Sequence, residues 1–301
     1  MAHRIIPAIW FNRNAREAVD HYLSVFDDSE ELSASNYPTE GLMDFQQPLA
    51  GDTLEIQFRI GDLTFSAINA GSEFRPNPSI SFLVHFDPSR DADAEARLDG
   101  IWKHLLIGGL IRMELSSYPF SPHYGWVEDR YGVNWQLMTS QPGDEPRPFV
   151  TPMLMYPHGR TQASEAIELY TWLFEDSQRG DTFPYSDLPD GGSAGPQPQG
   201  ALAYADFTLS GQWFAAMDSG APQDFTFNEG ISLMTLCSDQ AEIDQLWDVL
   251  STQPDAEQCG WCKDRFGVSW QVVPEKMPDI SEPEAFQKMS QMKKLVIADF
   301  G

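Results

Sequence analysis

Cysteine, lysine and long apolar runs are all scarce in this chain of 301 residues. Three cysteines, Cys237, Cys259 and Cys262, cannot build the disulfide framework of a small secreted domain. Cys259-Gly-Trp-Cys262 has C-x-x-C spacing. A thioredoxin-type motif would open a helix, however, and a zinc site would bring a second pair, and this strand-rich stretch offers neither. No apolar run approaches the length of a membrane helix, and Met1-Ala-His-Arg4 leads straight into a strand-like segment without a signal-peptide core. The expectation is a cytoplasmic protein. Only six residues are lysine, and 19 basic side chains face 45 acidic ones, for a formal net charge of −26. That field repels nucleic acid and anionic membrane surfaces, so neither is expected as a partner. Also missing are a G-x-S-x-G elbow, a P-loop, an H-E-x-x-H helix and a glycine-rich strand-to-helix turn of the kind that cradles a nucleotide. No cofactor is expected.

What the chain does have is itself, twice. Gly125-Trp-Val-Glu-Asp-Arg-Tyr-Gly-Val-Asn-Trp-Gln136 returns as Gly260-Trp-Cys-Lys-Asp-Arg-Phe-Gly-Val-Ser-Trp-Gln271, 135 positions later. Pro7-Ala-Ile-Trp-Phe11 answers Pro152-Met-Leu-Met-Tyr156, and Asn77-Pro-Ser-Ile-Ser-Phe82 answers Asn228-Glu-Gly-Ile-Ser-Leu233. The offset is 145 at Pro7, 149 at Phe65 and 151 at Ser81, then falls to 135, which places sixteen extra residues in the first copy between Ser81 and Trp126. A period this long means a duplicated domain rather than a solenoid, with the main mismatch expected between Leu105 and Ser121.

Within each copy the apolar spacing alternates between period 2 and period 3.6. The first copy reads as a strand at 5–11, a helix at 14–26, strands at 53–60 and 63–69, a strand at 79–86, a helix near 92–106, and a hairpin at 125–138. The second copy follows the same course. The expected class is therefore α+β: two tandem domains, each of paired βαβββ modules forming curved mixed sheets with helices outside. The boundaries are 1–139 for the first domain, 140–149 for a proline-bearing linker, 150–276 for the second domain and 277–301 for a helical tail. Residues 187–200, rich in glycine and proline, read as a loop. In the tail, Phe286, Met289, Met292, Leu295 and Val296 recur at helical spacing over 283–300 and predict a docking face. The two copies are expected to pack as an intrachain pseudo-dimer, and the sequence leaves further homodimerisation open.

Paired βαβββ modules resemble the vicinal oxygen chelate superfamily. Phe227-Asn-Glu-Gly-Ile-Ser232, Cys259 to Pro274, Met289-Ser-Gln-Met-Lys-Lys294 and Ile6-Pro-Ala-Ile-Trp-Phe11 resemble its PhnB-like branch, also catalogued as demethylubiquinone methyltransferase-like. The resemblance implies metal-ligand positions at Pro7, Ser66, Ser81 and Gln136, and at Pro152, Ala215, Ser232 and Gln271. Most of these side chains do not hold a catalytic divalent metal, so none is expected there. It implies a small-molecule-binding protein. The alternatives are a glyoxalase-type lyase or isomerase with its metal held in some other way, and a structural duplication without activity. Methyltransferase chemistry finds no cofactor cradle in the sequence.

Candidate ligand-binding residues come in matched pairs. Gln136 and Gln271 each follow a tryptophan on a strand, and so face away from it. Each is either a neutral hydrogen-bonding group in a cleft or a satisfied structural amide. Glu55 and Gln57 share one strand face, as do their counterparts Tyr204 and Asp206, and a desolvated Asp206 would suit a general base. Trp126 and Trp261 read as core or pocket wall. Asp129-Arg130 and Asp264-Arg265 read either as arginine anion clamps or as turn chemistry, in which Asp caps the turn and Gly132 and Gly267 supply positive φ.

Overall fold

The structure is a computed structural model that describes residues 5–44, 46–141, 143–188, 197–277 and 282–300. Four modules follow one another. The first runs β1 (Ile5–Asn12), α1 (Ala15–Val25), β2 (Ser29–Asn36), β3 (Thr53–Ile60) and β4 (Leu63–Ala70). The second is β5 (Ile80–Phe86), α2 (Ala94–Leu105), β6 (Leu110–Tyr118), β7 (Ser121–Glu128) and β8 (Asn134–Thr139). The third is β9 (Val150–Tyr156), α3 (Gln162–Leu173), β10 (Gln178–Pro184), β11 (Leu202–Leu209) and β12 (Gln212–Asp218). The fourth is shorter: β13 (Ile231–Cys237), α4 (Gln240–Leu250), β14 (Trp261–Lys263) and β15 (Ser269–Pro274), followed by α5 (Pro283–Gln291).

The sixteen-residue difference between the copies has a structural meaning. It falls where the second module carries β6, while the fourth has only a short 3-10 turn, Pro254–Ala256, between its helix and β14. The C-terminal segment comes to the edge left open. The Cys259 and Gly260 amides donate to the Met292 and Lys293 carbonyls at 2.8 and 2.7 Å. This segment is not one helix over 283–300: α5 stops at Gln291 and the chain continues extended through Met292, so that Leu295 reaches the sheet.

Each sheet takes strands from both copies. The seven-stranded sheet has the order β14-β15-β13-β1-β4-β3-β2, and the eight-stranded sheet β10-β11-β12-β9-β5-β8-β7-β6. The first strands of modules meet antiparallel at the centre, with Ala8 opposite Ser232 in one sheet and Ser81 opposite Met153 in the other. The junction is reciprocal. The Asn77 amide donates to Thr226 O at 2.9 Å and the Asn228 amide to Arg75 O at 3.1 Å, while Asn77 and Asn228 cap the Ser79 and Gly230 amides, each at 2.8 Å. The two copies thus form a pseudo-dimer inside one chain.

Period-2 strands sort their side chains onto two faces. Ile5, Ile9 and Phe11 on β1, Ile56, Phe58 and Ile60 on β3, and their equivalents elsewhere meet the helices in one continuous core that includes the fully buried Trp135 and Trp270. The opposite faces form the two clefts. The edge strands β2 and β10 are exposed almost throughout, and β6 largely so, so they carry no apolar alternation and the sequence gives no sign of them. Of the loop expected at 187–200, residues 189–196 lie outside the described residues.

Candidate functional site

The sheet topology divides the eight candidate residues evenly between the clefts. On β8 the neighbours Trp135 and Leu137 join the helix-side core, so Gln136 faces the cleft of the eight-stranded sheet. Its Nε2 donates to Ser81 Oγ at 2.8 Å and its Oε1 accepts from Tyr124 Oη at 2.6 Å. The amide is therefore satisfied, and it ties β5, β7 and β8 together. Trp126, on the same side of β7, donates its indole to Asn134 Oδ1 at 3.0 Å. Leu83, Met153 and Ala215 form the buried floor, with half-buried Met138, Tyr204 and Met217 against them. At the outer arms of this sheet stand two exposed rings. Phe120 lies 4.9 Å from Tyr124, and Phe183 lies 6.3 Å from Tyr204, centroid to centroid.

One residue of this cleft was not foreseen. Arg147, in the linker between two prolines, donates to Asp206 Oδ2 through Nε (3.2 Å) and Nη2 (2.9 Å), and its guanidinium lies 4.4 Å over the Trp213 ring. Both partners are mostly buried, with side-chain exposures of 15% and 4%. Asp206 also accepts the Asp181 amide at 2.8 Å and lies 3.5 Å from Tyr204 Oη. This carboxylate is fully engaged, which argues against the general-base role raised for it. The ring of His85 faces the same cleft from β5. Burial, and then the charge of Arg147, holds its pKa down to about 4, and its Nε2 is buried without a hydrogen-bond partner. A linker composed of proline, glycine and charge looks solvated in sequence, so the signal for Arg147 was the cation itself in a lysine-poor chain.

The seven-stranded cleft collects Gln271, Trp261, Glu55 and Gln57. Gln271 Nε2 donates to Ser232 Oγ at 2.8 Å, as Gln136 does to Ser81. The position equivalent to Tyr124 is Cys259, so the phenol that caps Gln136 has no counterpart here. Glu55 Oε1 accepts from Ser66 Oγ at 2.7 Å and from Gln57 Nε2 at 3.2 Å. Trp261 meets Trp10 edge to face with centroids 6.0 Å apart. The remainder of the face is occupied by the chain's own tail. Leu295 is completely buried with Ile6, Ala8, Met234 and Val273, while Met289, Met292 and Phe300 pack around them. Phe286 closes a neighbouring cluster with Tyr37, Leu42 and Leu49.

The repeated Asp-Arg turns prove to be buried ties between the sheets. Asp129 Oδ1 caps the Tyr131 and Val133 amides at 2.8 and 3.0 Å, while Oδ2 accepts from Tyr22 Oη (2.8 Å) and Trp135 Nε1 (2.9 Å). Asp264 repeats all four bonds, with Phe266, Val268, Tyr170 and Trp270. In each copy a helix tyrosine thereby reaches across to the hairpin of the other sheet. Burial pushes the Asp129 carboxyl up to about 6 against the pull of its four donors, and shifts Asp264 the same way. Gly132 and Gly267 hold φ of 91° and 89°, which suits glycine. Arg130 and Arg265 lie over the rings of Tyr131 and Phe266 at 5.0 and 4.9 Å. Turn chemistry, not an anion clamp, explains the motif.

Comparison with known proteins agrees with this geometry. The profile of the family described as 3-demethylubiquinone-9 3-methyltransferase matches residues 3–138 and again 148–273. The chain belongs to this PhnB-like family. Among solved structures it is similar to the Bacillus cereus protein described as 3-demethylubiquinone-9 3-methyltransferase, PhnB protein, with 31% identity, 46% of this chain and 100% of that one covered, and a TM-score of 0.40. It is also similar to glyoxalase I from Zea mays, with 12% identity, 95% and 97% coverage and a TM-score of 0.52, a likeness of fold. No curated protein matches.

For this PhnB-like chain the superfamily's metal can be tested against the residues present. Two of the implied positions need correction. On β1 and β9 the neighbours Ile5, Ile9, Val150 and Leu154 join the helix-side core, so Pro7 and Pro152 face the helices, and the cleft-facing residues are Ala8 and Met153. One cleft therefore offers Ala8, Ser66, Ser232 and Gln271, the other Met153, Ala215, Ser81 and Gln136. Both glutamines spend their amide nitrogen on a serine. Among the described residues no group of three His, Cys, Asp or Glu comes together. This donor set does not fit a catalytic divalent metal. Cys262 is buried and Cys259 half-buried, and burial pushes both thiols up, away from the reactive thiolate.

Proposed function

We propose that this PhnB-like chain binds a small, mainly apolar aromatic molecule in the cleft of the eight-stranded sheet, without a metal. The observation that carries this reading is the composition of that cleft. Thioethers of Met138, Met153 and Met217 make a pliable floor, the exposed rings of Phe120 and Phe183 stand on its two arms, and the polar groups between them are neutral or paired with one another. Gln136 and Tyr124 fix the floor, and the Arg147–Asp206 pair bounds one end. Trp126 and Tyr204 are walls. In the other cleft the tail takes the place of a ligand, so Gln271, Glu55, Gln57 and Trp261 serve as its bed. The composition also leads us to assign the protein to the cytoplasm.

A neutral fluorescent probe, N-phenyl-1-naphthylamine, tests the reading without opposing the chain's negative field. Its emission should rise saturably with the full-length protein, survive EDTA, and collapse with Met217→Lys, which places an ammonium on the floor. An equal rise in wild type and Met217→Lys, or no rise, would reject the cleft as the binding site.

A further inference from the structure

Where the tail fills the seven-stranded cleft, it leaves a separate cavity of about 270 Å³ at the rim. The walls are Trp10, Tyr37, Leu49 and Ala70, and the polar lining includes Arg13 and Glu73. Trp10 is fixed: its indole donates to Gly71 O at 2.8 Å, and Phe74 and Trp261 brace the ring edge to face at 5.1 and 6.0 Å. Tyr37 is fixed by its phenol, which donates to Asn69 O at 2.9 Å, and by Phe286 of the tail. Arg13 is held at φ 59°, a region ordinary residues avoid, by its amide contacts with Phe11 O and Ala70 O.

The cavity carries one charge of each sign, both on exposed side chains. Among the described residues Arg13 and Glu73 have no ion-pair partner, although most of the described arginines of this acidic chain do. The exposed Glu73 side chain folds back toward Gly71, where a β-carbon would come within 2.2 Å of its carboxylate. Burial and then its charge raise the neighbouring Tyr37 phenol to about 12.

The second copy supplies an internal control. There Tyr185 donates to Asp218 O as Tyr37 does to Asn69 O. The residue in place of Arg13 is His158, whose Nδ1 contacts Ser219 O at 3.0 Å. Gln197 donates to Gly220 O at 3.0 Å, the carbonyl equivalent to the one held by Trp10, and comes within 3.3 Å of His158. Among the described residues, that corner carries Gln197 and His158, in contact with each other and with the backbone, where the first copy has Trp10 and Arg13. The first-copy corner presents instead an aromatic wall and two charges without an ion-pair partner among the described residues.

From this we infer that the rim cavity is a second binding site, for a small zwitterionic amino acid whose carboxylate meets Arg13, whose ammonium meets Glu73 and whose side chain lies against Trp10 and Tyr37. A ligand of one charge satisfies one side chain and is repelled by the other, and a neutral ligand leaves both unanswered. The volume admits a single residue rather than a peptide or a drug-sized molecule. The site is independent of the cleft in the eight-stranded sheet.

Titration calorimetry on the full chain, with L-phenylalanine, 3-phenylpropionate and phenethylamine as probes, tests the assignment. L-phenylalanine should bind most tightly. Arg13→Gln should weaken L-phenylalanine and 3-phenylpropionate about tenfold and spare phenethylamine, while Glu73→Gln should weaken L-phenylalanine and phenethylamine and spare 3-phenylpropionate, the loss expected of one charge-assisted contact. Both positions are exposed, so the variants retain the fold, which their thermal midpoints check. Equal affinity for the three probes, indifference to both substitutions, or no saturable heat from L-phenylalanine up to about 10 mM would overturn it. None of these results bears on naphthylamine binding in the other cleft.

Discussion

The two clefts descend from one repeated sequence and sit on sheets built the same way, yet the chain's tail packs into only one of them. In both, a glutamine after a buried tryptophan holds a serine on the central strand. The difference begins at the edges. The eight-stranded sheet keeps all its edge strands and receives Arg147 from the linker, which neutralises Asp206. The seven-stranded sheet lacks one edge strand, and the chain's last residues occupy both the vacant edge and the apolar face. A duplicated scaffold can thus keep its framework hydrogen bonds while one copy of the cleft becomes core. The shared framework and the unshared fillings make separate predictions.

The largest effect is expected at the buried ion pair. Arg147→Met takes the cation from a mostly buried Asp206, at a cost of about 3–5 kcal/mol in urea unfolding. Glu55→Gln, which removes a half-buried carboxylate with no ion-pair partner among the described residues, should cost less than about 1 kcal/mol. Equal costs would erase the electrostatic contrast between the clefts.

Next comes the tail. Leu295→Ala opens a void under a completely buried side chain and should cost about 2–5 kcal/mol. A change below about 0.5 kcal/mol would mean that the tail merely rests on the sheet.

His85 gives the eight-stranded sheet a pH dependence that the other cannot share, because its counterpart is Leu236. The folded-state pKa of about 4 lies below the ordinary histidine value of 6.5, so the unfolded chain takes up the proton first. Its contribution is complete above pH 6.5 and is lost as pH falls toward 4, by an amount on the order of 3 kcal/mol. His85→Gln should flatten that part of the stability profile. Asp129 works in the opposite sense: its raised carboxyl favours the fold at low pH, and that contribution is lost as pH rises through about 6. Asp264 shifts in the same direction, so this effect belongs to both halves.

The smallest effect tests the symmetry. Tyr22→Phe and Tyr170→Phe each remove one donor to a buried carboxylate and should cost about 1–3 kcal/mol apiece, with similar values in chemical denaturation. A large inequality would show that the two ties between the sheets are not equivalent.

The sequence exposed what repeats and what alternates. The Asp-Arg-x-Gly-Val-x-Trp-Gln turns, the buried strands and the Phe286 and Met289 positions of the docking helix were legible because burial imposes a period, whereas Met292 and Leu295 pack from beyond that helix and Val296 joins neither tail cluster. Strands β2, β6 and β10 were not, because a solvated edge strand is held by backbone bonds that any side chain permits. Pro7 and Pro152 went to the wrong face because a shift of one residue reverses every side chain on a strand. The sheets' exchange of strands between copies was hidden too, since it depends on long-range pairing such as Ala8 with Ser232, which no local pattern encodes. Arg147 needed that topology before its partner Asp206, 59 positions away, could be seen.

The inequality of the clefts is tested most directly by counting. Equilibrium dialysis of the full chain against N-phenyl-1-naphthylamine should saturate at one probe per chain, and Met217→Lys should abolish that site. Two equivalent sites per chain, or one that persists in Met217→Lys, would contradict the assignment of an open cleft to the eight-stranded sheet and a tail-filled one to the seven-stranded sheet.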